Sequence, residues 1–447
     1  MINKNFFYSA LLLVALLVAA SDANAQKREM ARAKVLSHNE GFYKEVFMDG
    51  GIRLSSRCSL PATKLLGIEL EFFASAKTKN LTQTDTLIQN KIFCGSEEDS
   101  NGWLLYPDGA PRYRMMYVNG GLAARHALAM GKEAAKNIQK YVANGGGYIG
   151  TCAGSFIGSK GSINLKRREP VRYVGTYWNL WPGYSGGTKL TKSRTALILP
   201  KKCPLLKYYD FGGDNKVDSV FHNNGNYAYQ SEDYPLPKGT EPIALYRYEN
   251  TKKVKIDGKI GIWAYKANQQ SGRVILCGSH PEGVKKGERL ELMAGMVLYA
   301  MDGNPTPSVK GELKAGEVRE MNKRTEDNNP AYTRIGDKQY HHFKLNVPRK
   351  CKKVVVTLGG YEGENNFDLS LFAKQKALAF NSNTTLKQTT KGCDKQLVIE
   401  KPKVGKWFVS VCCETTVESQ TGKYGTEYIG DLSVLNGVPY KIAVSYE

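Results

Sequence analysis

One short stretch, GGGYIGTCAGSFIGS from Gly145 to Ser159, constrains the fold more than any other. An apolar run ends on a cysteine, Cys152, that has glycines two residues before and two residues after it, Gly150 and Gly154. A strand that turns abruptly into a helix crowds those two flanking positions, and glycine relieves the crowding. The residue at the turn is strained. Cys152 then stands at the carboxyl end of a strand, where open α/β sheets place ligands. It also stands at a helix N-terminus, whose dipole favours a thiolate.

The chain around this turn has two textures. From Lys44 to Met301 short apolar strands alternate with helical patterns. YKEVFMDGG and MMYVNGG read as strand followed by a glycine turn. Leu128, Ala135, Ile138 and Val142 fall on one face of a helix between Arg125 and Ala143, and Asn144-Gly145 supplies its stop. YIGTC is the next strand, and Ala153 onward starts a helix. GRVILCGSH is a strand again, followed by a helical stretch from Glu288 to Tyr299. Such alternation implies a parallel sheet flanked by helices on both faces. The stretch after Met301, DGNPTPSVKGELKAGE, has the composition of a linker. Beyond it, HHFKLNVP, KKVVVTLGG, NFDLSLFAK, KQLVIEKP, GKWFVSVCC and PYKIAVSYE are short strands parted by Gly, Asn and Pro turns. They predict a small all-β sandwich. The expected division is residues 1–25 leader, 26–43 extension, 44–302 α/β domain, 303–313 linker and 314–447 sandwich.

The first residues, MINKNFFYSALLLVALLVAASDANA, have a lysine, an apolar run from Ala10 to Ala20, and Ala23-Asn24-Ala25 before Gln26. This is the layout of a cleavable export signal. The run is shorter than the roughly 20 apolar residues of a spanning helix. The reading is an exported chain, periplasmic or extracellular, whose mature form does not span a membrane. The net charge of +21 suits contact with anionic surfaces or glycans, but no nucleic-acid motif accompanies it. Nine cysteines are present. If Cys152 stays free, the even remainder allows pairing, and Cys412 or Cys413 with Cys393 or Cys351 is the expected bridge. No CxxC pair occurs and His341-His342 is an isolated doublet, so neither zinc nor another cofactor is expected.

A thiol nucleophile needs a base and a group to orient it. VILCGSHPEG puts His280 just past an apolar strand with Glu282 two residues on. Residues i and i+2 of an extended segment share a side, and the intervening proline stiffens the geometry. Glu282 is therefore placed to hold the imidazole while His280 takes the thiol proton. YVNGG ends a strand at Gly120-Gly121, where backbone N–H groups can approach a substrate. The N–H of Gly121 with that of Ala153 would form an oxyanion hole. YWNLWPGYSGG brings Trp178 and Trp181, expected in the core. His222, in FHNNGNY, and Phe156 are candidates to line the cleft.

YVNGG, GGGYIGTCAGSFIGS and GSHPEG, in this order, resemble the class I glutamine amidotransferase-like fold, a flavodoxin-like α/β architecture. The branch they look closest to is the N-terminal domain of some biotin-protein ligases. The resemblance implies Cys152 as nucleophile, His280 as base, Glu282 as its partner, and Gly121 with Ala153 as oxyanion donors. Glutamine-hydrolysing members carry Gln two residues past the second glycine of the turn; Phe156 stands there in this chain, so glutamine is not the implied substrate. No adenylate-forming loop accompanies the domain, so biotin transfer is not implied either. NFDLSLFAK, KPKVGKWFVSVC and VPYKIAVSYE resemble the pre-peptidase C-terminal domain, a β-sandwich of secreted hydrolases. Two functions follow as expectations. One is an exported cysteine hydrolase, amidase or peptidase in type, acting on a small-molecule or peptide substrate through a thioester. The other is an inactive scaffold of the same fold that binds a ligand or a surface.

Overall fold

The computed structural model describes residues 22–49, 60–73, 95, 101–171, 177–249, 254–325, 329–361, 363, 366–422 and 425–447. Most of the expected leader, residues 1–21, and the cysteines at 58 and 94 lie outside the described residues. Residues 22–36 are helical. No described helix is long and apolar enough to cross a membrane.

The continuous apolar runs become the interior strands of an eleven-stranded sheet. In chain order these are β1 (Lys44–Asp49), β2 (Leu70–Phe73), β3 (Tyr113–Val118), β4 (Gly147–Thr151), β5 (Ser193–Ile198), β6 (Lys216–His222), β7 (Glu241–Arg247), β8 (Ile260–Tyr265) and β9 (Val274–Cys277). Their spatial order is β2-β1-β3-β4-β9-β8-β7-β5-β6. The first five run parallel, and the last four join antiparallel. The expected parallel sheet is thus the centre, with an antiparallel wing added to it. Every residue of β3 and β4 is buried, as strands covered on both faces must be. Along β3, Met116 and Val118 pack into one core, Met115 and Tyr117 into the other. That is the two-residue alternation of a pleated strand.

Helix α1 (Ala123–Ala143) covers the first face and α3 (Glu288–Met301) the second. α2 (Ala153–Gly158) follows Cys152 directly. One expectation about α1 is corrected. Leu128 is 65% exposed, and the buried face runs through Ala127, Met130, Ala134, Ile138 and Tyr141. Gly131, at φ 75 and ψ 179, departs from helical geometry, yet the buried positions keep three- and four-residue steps across it.

Three strands between α2 and β5, Ser159–Asn164, Glu169–Pro170 and Trp181–Gly187, form a separate four-stranded sheet with Asn226–Ala228, which follows β6. Trp178 and Trp181 are fully buried there, in the core as expected. The C-terminal region packs a five-stranded sheet against a four-stranded one. One piece of it leaves the sandwich. The hairpin Glu418–Gly422 and Gly425–Ile429 attaches to the free side of β2, where Phe73 pairs with Gly425 and the Phe72 N–H donates to Thr426 Oγ1 at 3.2 Å.

A buried polar junction holds this arrangement. The Arg112 guanidinium, just before β3, grips Asp337 with two bonds of 3.0 and 2.8 Å and donates to the Tyr428 hydroxyl at 2.7 Å. Glu71 of β2 accepts from Tyr113 (2.5 Å), Tyr428 (2.6 Å), Tyr43 (2.9 Å) and Lys44 (3.0 Å). Burial pushes the Glu71 carboxyl up, but Arg112, Lys44 and the two hydroxyls on its second oxygen outweigh that and hold it below the usual glutamate range.

The expected disulfide is absent. None of Cys351, Cys393, Cys412 and Cys413 is bridged to another of the four. Each donates to a carbonyl instead: Cys393 to Phe367 at 3.0 Å, Cys351 to Lys353 at 3.2 Å, Cys413 to Thr415 at 3.4 Å and Cys412 to Cys413 at 3.7 Å. Adjacent Cys412 and Cys413 point to opposite faces of their strand and lie in separate clusters.

Candidate active site

The turn at Cys152 has the geometry that its glycines predict. Cys152 sits at φ 46 and ψ −101, a region that L residues rarely adopt. A Cβ on Gly150 would fall 2.4 Å from the backbone carbonyl group of Gly154, and one on Gly154 would fall 2.2 Å from the carbonyl oxygen of Val118. Strand, helix and neighbouring strand therefore meet at backbone distance, which presses the cysteine outward at the carboxyl end of β4. Gly154→Ala is expected to cost about 1–3 kcal/mol or more, because β3 itself must shift. Calorimetric melting would show it as a lowered midpoint, and Cys152 should alkylate more slowly in the same variant.

Register brings the partners together. Cys277 pairs with Thr151, and the Cys152 N–H donates to the Cys277 carbonyl at 2.8 Å. Three residues beyond Cys277, His280 faces Cys152 on one side, the two flanking the place a Cβ on Gly120 would take. On the other, its Nδ1 meets Glu282 Oε1 at 2.9 Å. The carboxylate is nearly fully buried, and its second oxygen has no hydrogen-bond partner. Burial pulls the imidazole down, but Cys152 and Glu282 outweigh it and push it up to about 10. The two partners thus favour the protonated ring.

The glycine loop after β3 closes against this pair. A Cβ on Gly120 would sit 2.3 Å from His280 Cε1 and 3.3 Å from Cys152 Cβ, so only glycine fits. Gly121 is exposed one residue further on, and Gly120 makes the close approach. Ala153 is buried at the first position of α2, and the next N–H, of Gly154, donates to the Asn119 carbonyl at 3.2 Å.

Phe156, half-buried one turn into α2, lines a recess of about 330 Å³ with Leu165, Lys166, Gly187 and Lys189, and Cys152, His280 and Glu282 are not among its lining residues. His222 is fully buried rather than cleft-lining. Its Nε2 meets Thr188 Oγ1 at 2.7 Å and its Nδ1 meets Ser279 Oγ at 3.0 Å, behind His280. Burial first, and the neighbouring His280 second, lower it to about 4, so it stays neutral. Residues on either side of His222 touch the site and were not singled out from sequence. The Phe221 carbonyl accepts the His280 N–H at 2.8 Å, and the Asn223 carbonyl lies 3.7 Å from the Cys152 sulfur. The signal available was their adjacency to His222 in a segment ending at a glycine turn.

Cys277 has no exposed thiol. It is completely buried, donates to the Ser279 carbonyl at 3.5 Å, and burial pushes it far up. Cys152 and Cys277 are both free.

Residues 110–296 match the family described as "Biotin-protein ligase, N terminal". This span contains Cys152, His280 and Glu282, and it agrees with the resemblance carried by the three sequence motifs. Comparison with curated proteins returned no match. Among solved structures, a glutamine amidotransferase is similar at 14% identity, covering 57% of this chain and 98% of its own, with a TM-score of 0.34. A ThuA-like protein from Parabacteroides merdae is similar at 14% identity over 60% of this chain and 93% of its own, with a TM-score of 0.33. The pre-peptidase C-terminal domain of a collagenase from Bacillus anthracis is similar at 11% identity over 31% of this chain and 99% of its own, with a TM-score of 0.18.

Proposed function

We propose that this chain is an exported hydrolase of amide bonds that works through a thioester on Cys152. The observation that carries the reading is one imidazole, His280, placed beside Cys152 and bonded through Nδ1 to a buried carboxylate. A cationic ring beside the sulfur is the counter-ion a thiolate nucleophile requires. The thiolate attacks the carbonyl carbon, and the oxygen's negative charge develops beside the backbone at Gly120 and Ala153. The C–N bond breaks as the nitrogen takes the His280 proton, and an amine leaves. Neutral His280 then takes a proton from water, whose oxygen attacks the thioester. The C–S bond breaks, the acid departs, and the thiolate–imidazolium pair is restored. The net change is amide plus water to acid plus amine. The leader-like residues 1–25 support export.

The test is activity-based profiling with amide and peptide probes on wild type beside Cys152→Ala. Probe turnover in the wild type alone supports the hydrolase; ligand binding without turnover in both supports the inactive scaffold.

The ring's titration gives an independent check. A folded-state value near 10, against about 6.5 for a free histidine, means the native state binds this proton more tightly than the unfolded chain. Its contribution to stability is fully present below about pH 6.5 and is lost as pH rises through about 10. Glu282→Gln removes the negative charge beside His280 Nδ1. The His280 midpoint, followed by NMR of ring-labelled protein, is expected to fall toward the free value in that variant.

A further inference from the structure

Proton delivery fixes where the leaving group lies. His280 protonates the departing nitrogen only from hydrogen-bond distance, about 2.6–3.2 Å. Whatever is attached to that nitrogen therefore lies within a bond or two of the imidazole. The side chain waiting there is Phe221. Its ring centroid is 5.6 Å from that of His280, tilted by 43°. Its backbone is tied to the same residue by the His280 N–H bond and a β-bridge. Yet the side chain is 40% exposed, while its neighbour His222 is completely buried. Leu122, two residues after Gly120, is 39% exposed as well. The strand bridged to His280 and the loop that carries Gly120 thus each present a large apolar side chain to solvent.

Resting on the hydrolase reading above, we infer that the scissile bond is a secondary amide whose amine portion is apolar, seated on Phe221, and that ammonia is not the natural leaving group. Phe156, in place of the Gln that glutamine-hydrolysing members carry, agrees with a site not built around a primary carboxamide. Phe221 is in this account a specificity residue that touches the leaving group.

The experiment compares kcat/KM for N-acetylalanine benzylamide and N-acetylalanine primary amide in wild type, Phe221→Ala and Phe221→Leu. The benzylamide is expected to be preferred, and Phe221→Ala should lower its value by about tenfold or more while affecting the primary amide far less. Phe221→Leu should restore most of the loss. Preference for the primary amide, or equal losses on both, overturns the inference. A second arm needs no turnover. Benzylamide is titrated calorimetrically into Cys152→Ala with and without Phe221→Ala. Binding that weakens when Phe221 is removed supports the subsite even if the wild type hydrolyses neither amide, in which case the hydrolase reading alone fails. Binding indifferent to Phe221 removes the subsite even if hydrolysis is observed.

Discussion

Cys152→Ala is expected to lower amide hydrolysis by at least about a thousandfold, because removing the nucleophile of a covalent mechanism leaves only binding and backbone stabilisation. The same substitution should remove the one fast-reacting thiol among the described cysteines. Burial pushes Cys277, Cys412 and Cys413 far up, raises Cys393, and takes Cys203 to about 11. Their thiols stay protonated at neutral pH and react slowly. Cys152 alone among these has an imidazole, His280, beside it whose protonated form the surroundings favour. Brief iodoacetamide treatment at mildly acidic pH, followed by peptide mass spectrometry, should therefore find the label on Cys152 ahead of the other described cysteines. His280→Ala should slow that labelling without removing it. Labelling of Cys152 no faster than of buried Cys412 would sink the proposal, whatever the fold resembles.

The second large effect lies at the polar junction. Asp337→Ala leaves the Arg112 guanidinium buried with its two strongest bonds gone. Breaking a buried ion pair from one side typically costs about 3–5 kcal/mol. The denaturant midpoint should fall accordingly. Arg112→Met combined with Asp337→Leu should recover part of the loss, since no unpaired charge is then left inside. Recovery should stay incomplete, because the Tyr428 hydroxyl loses its Arg112 donor. Acid should weaken the same region. Glu71 is held below the usual glutamate range in the folded state, so its contribution is present above the unfolded range near about 4.3 and is lost as pH falls through its folded value.

The turn at Cys152 was legible because it is local. Gly150, Cys152 and Gly154 encode a turn in five residues, and His280 with Glu282 are joined by one proline. The alternation of strands and helices likewise gave the central sheet, and the short strands beyond Met301 gave the sandwich. What sequence missed depends on contacts between distant segments. His222 looked like a cleft residue because a histidine at a strand end is polar, but Thr188 and Ser279 satisfy both its nitrogens inside the protein. Phe221 looked like an ordinary strand residue, and only the bridge to His280 places it at the site. Leu128 was read as core because its spacing to Ala135 fits a helix, but the buried stripe runs through Ala127 and Met130 instead. The hairpin after Val417 was invisible for a different reason. Its first strand, ESQTG, has no apolar alternation, and its place is set by Tyr428 meeting Glu71 and by the bare side of β2.

That hairpin has a consequence for how the chain can be divided. A strand with unsatisfied amides along one side is a template for any other extended polypeptide. The last stretch of this chain occupies that template on β2 itself. A fragment stopped at the linker would therefore bare a sticky ladder and strand Glu71 without its Tyr428 partner, and such a fragment should gather into oligomers rather than behave as an independent catalytic unit.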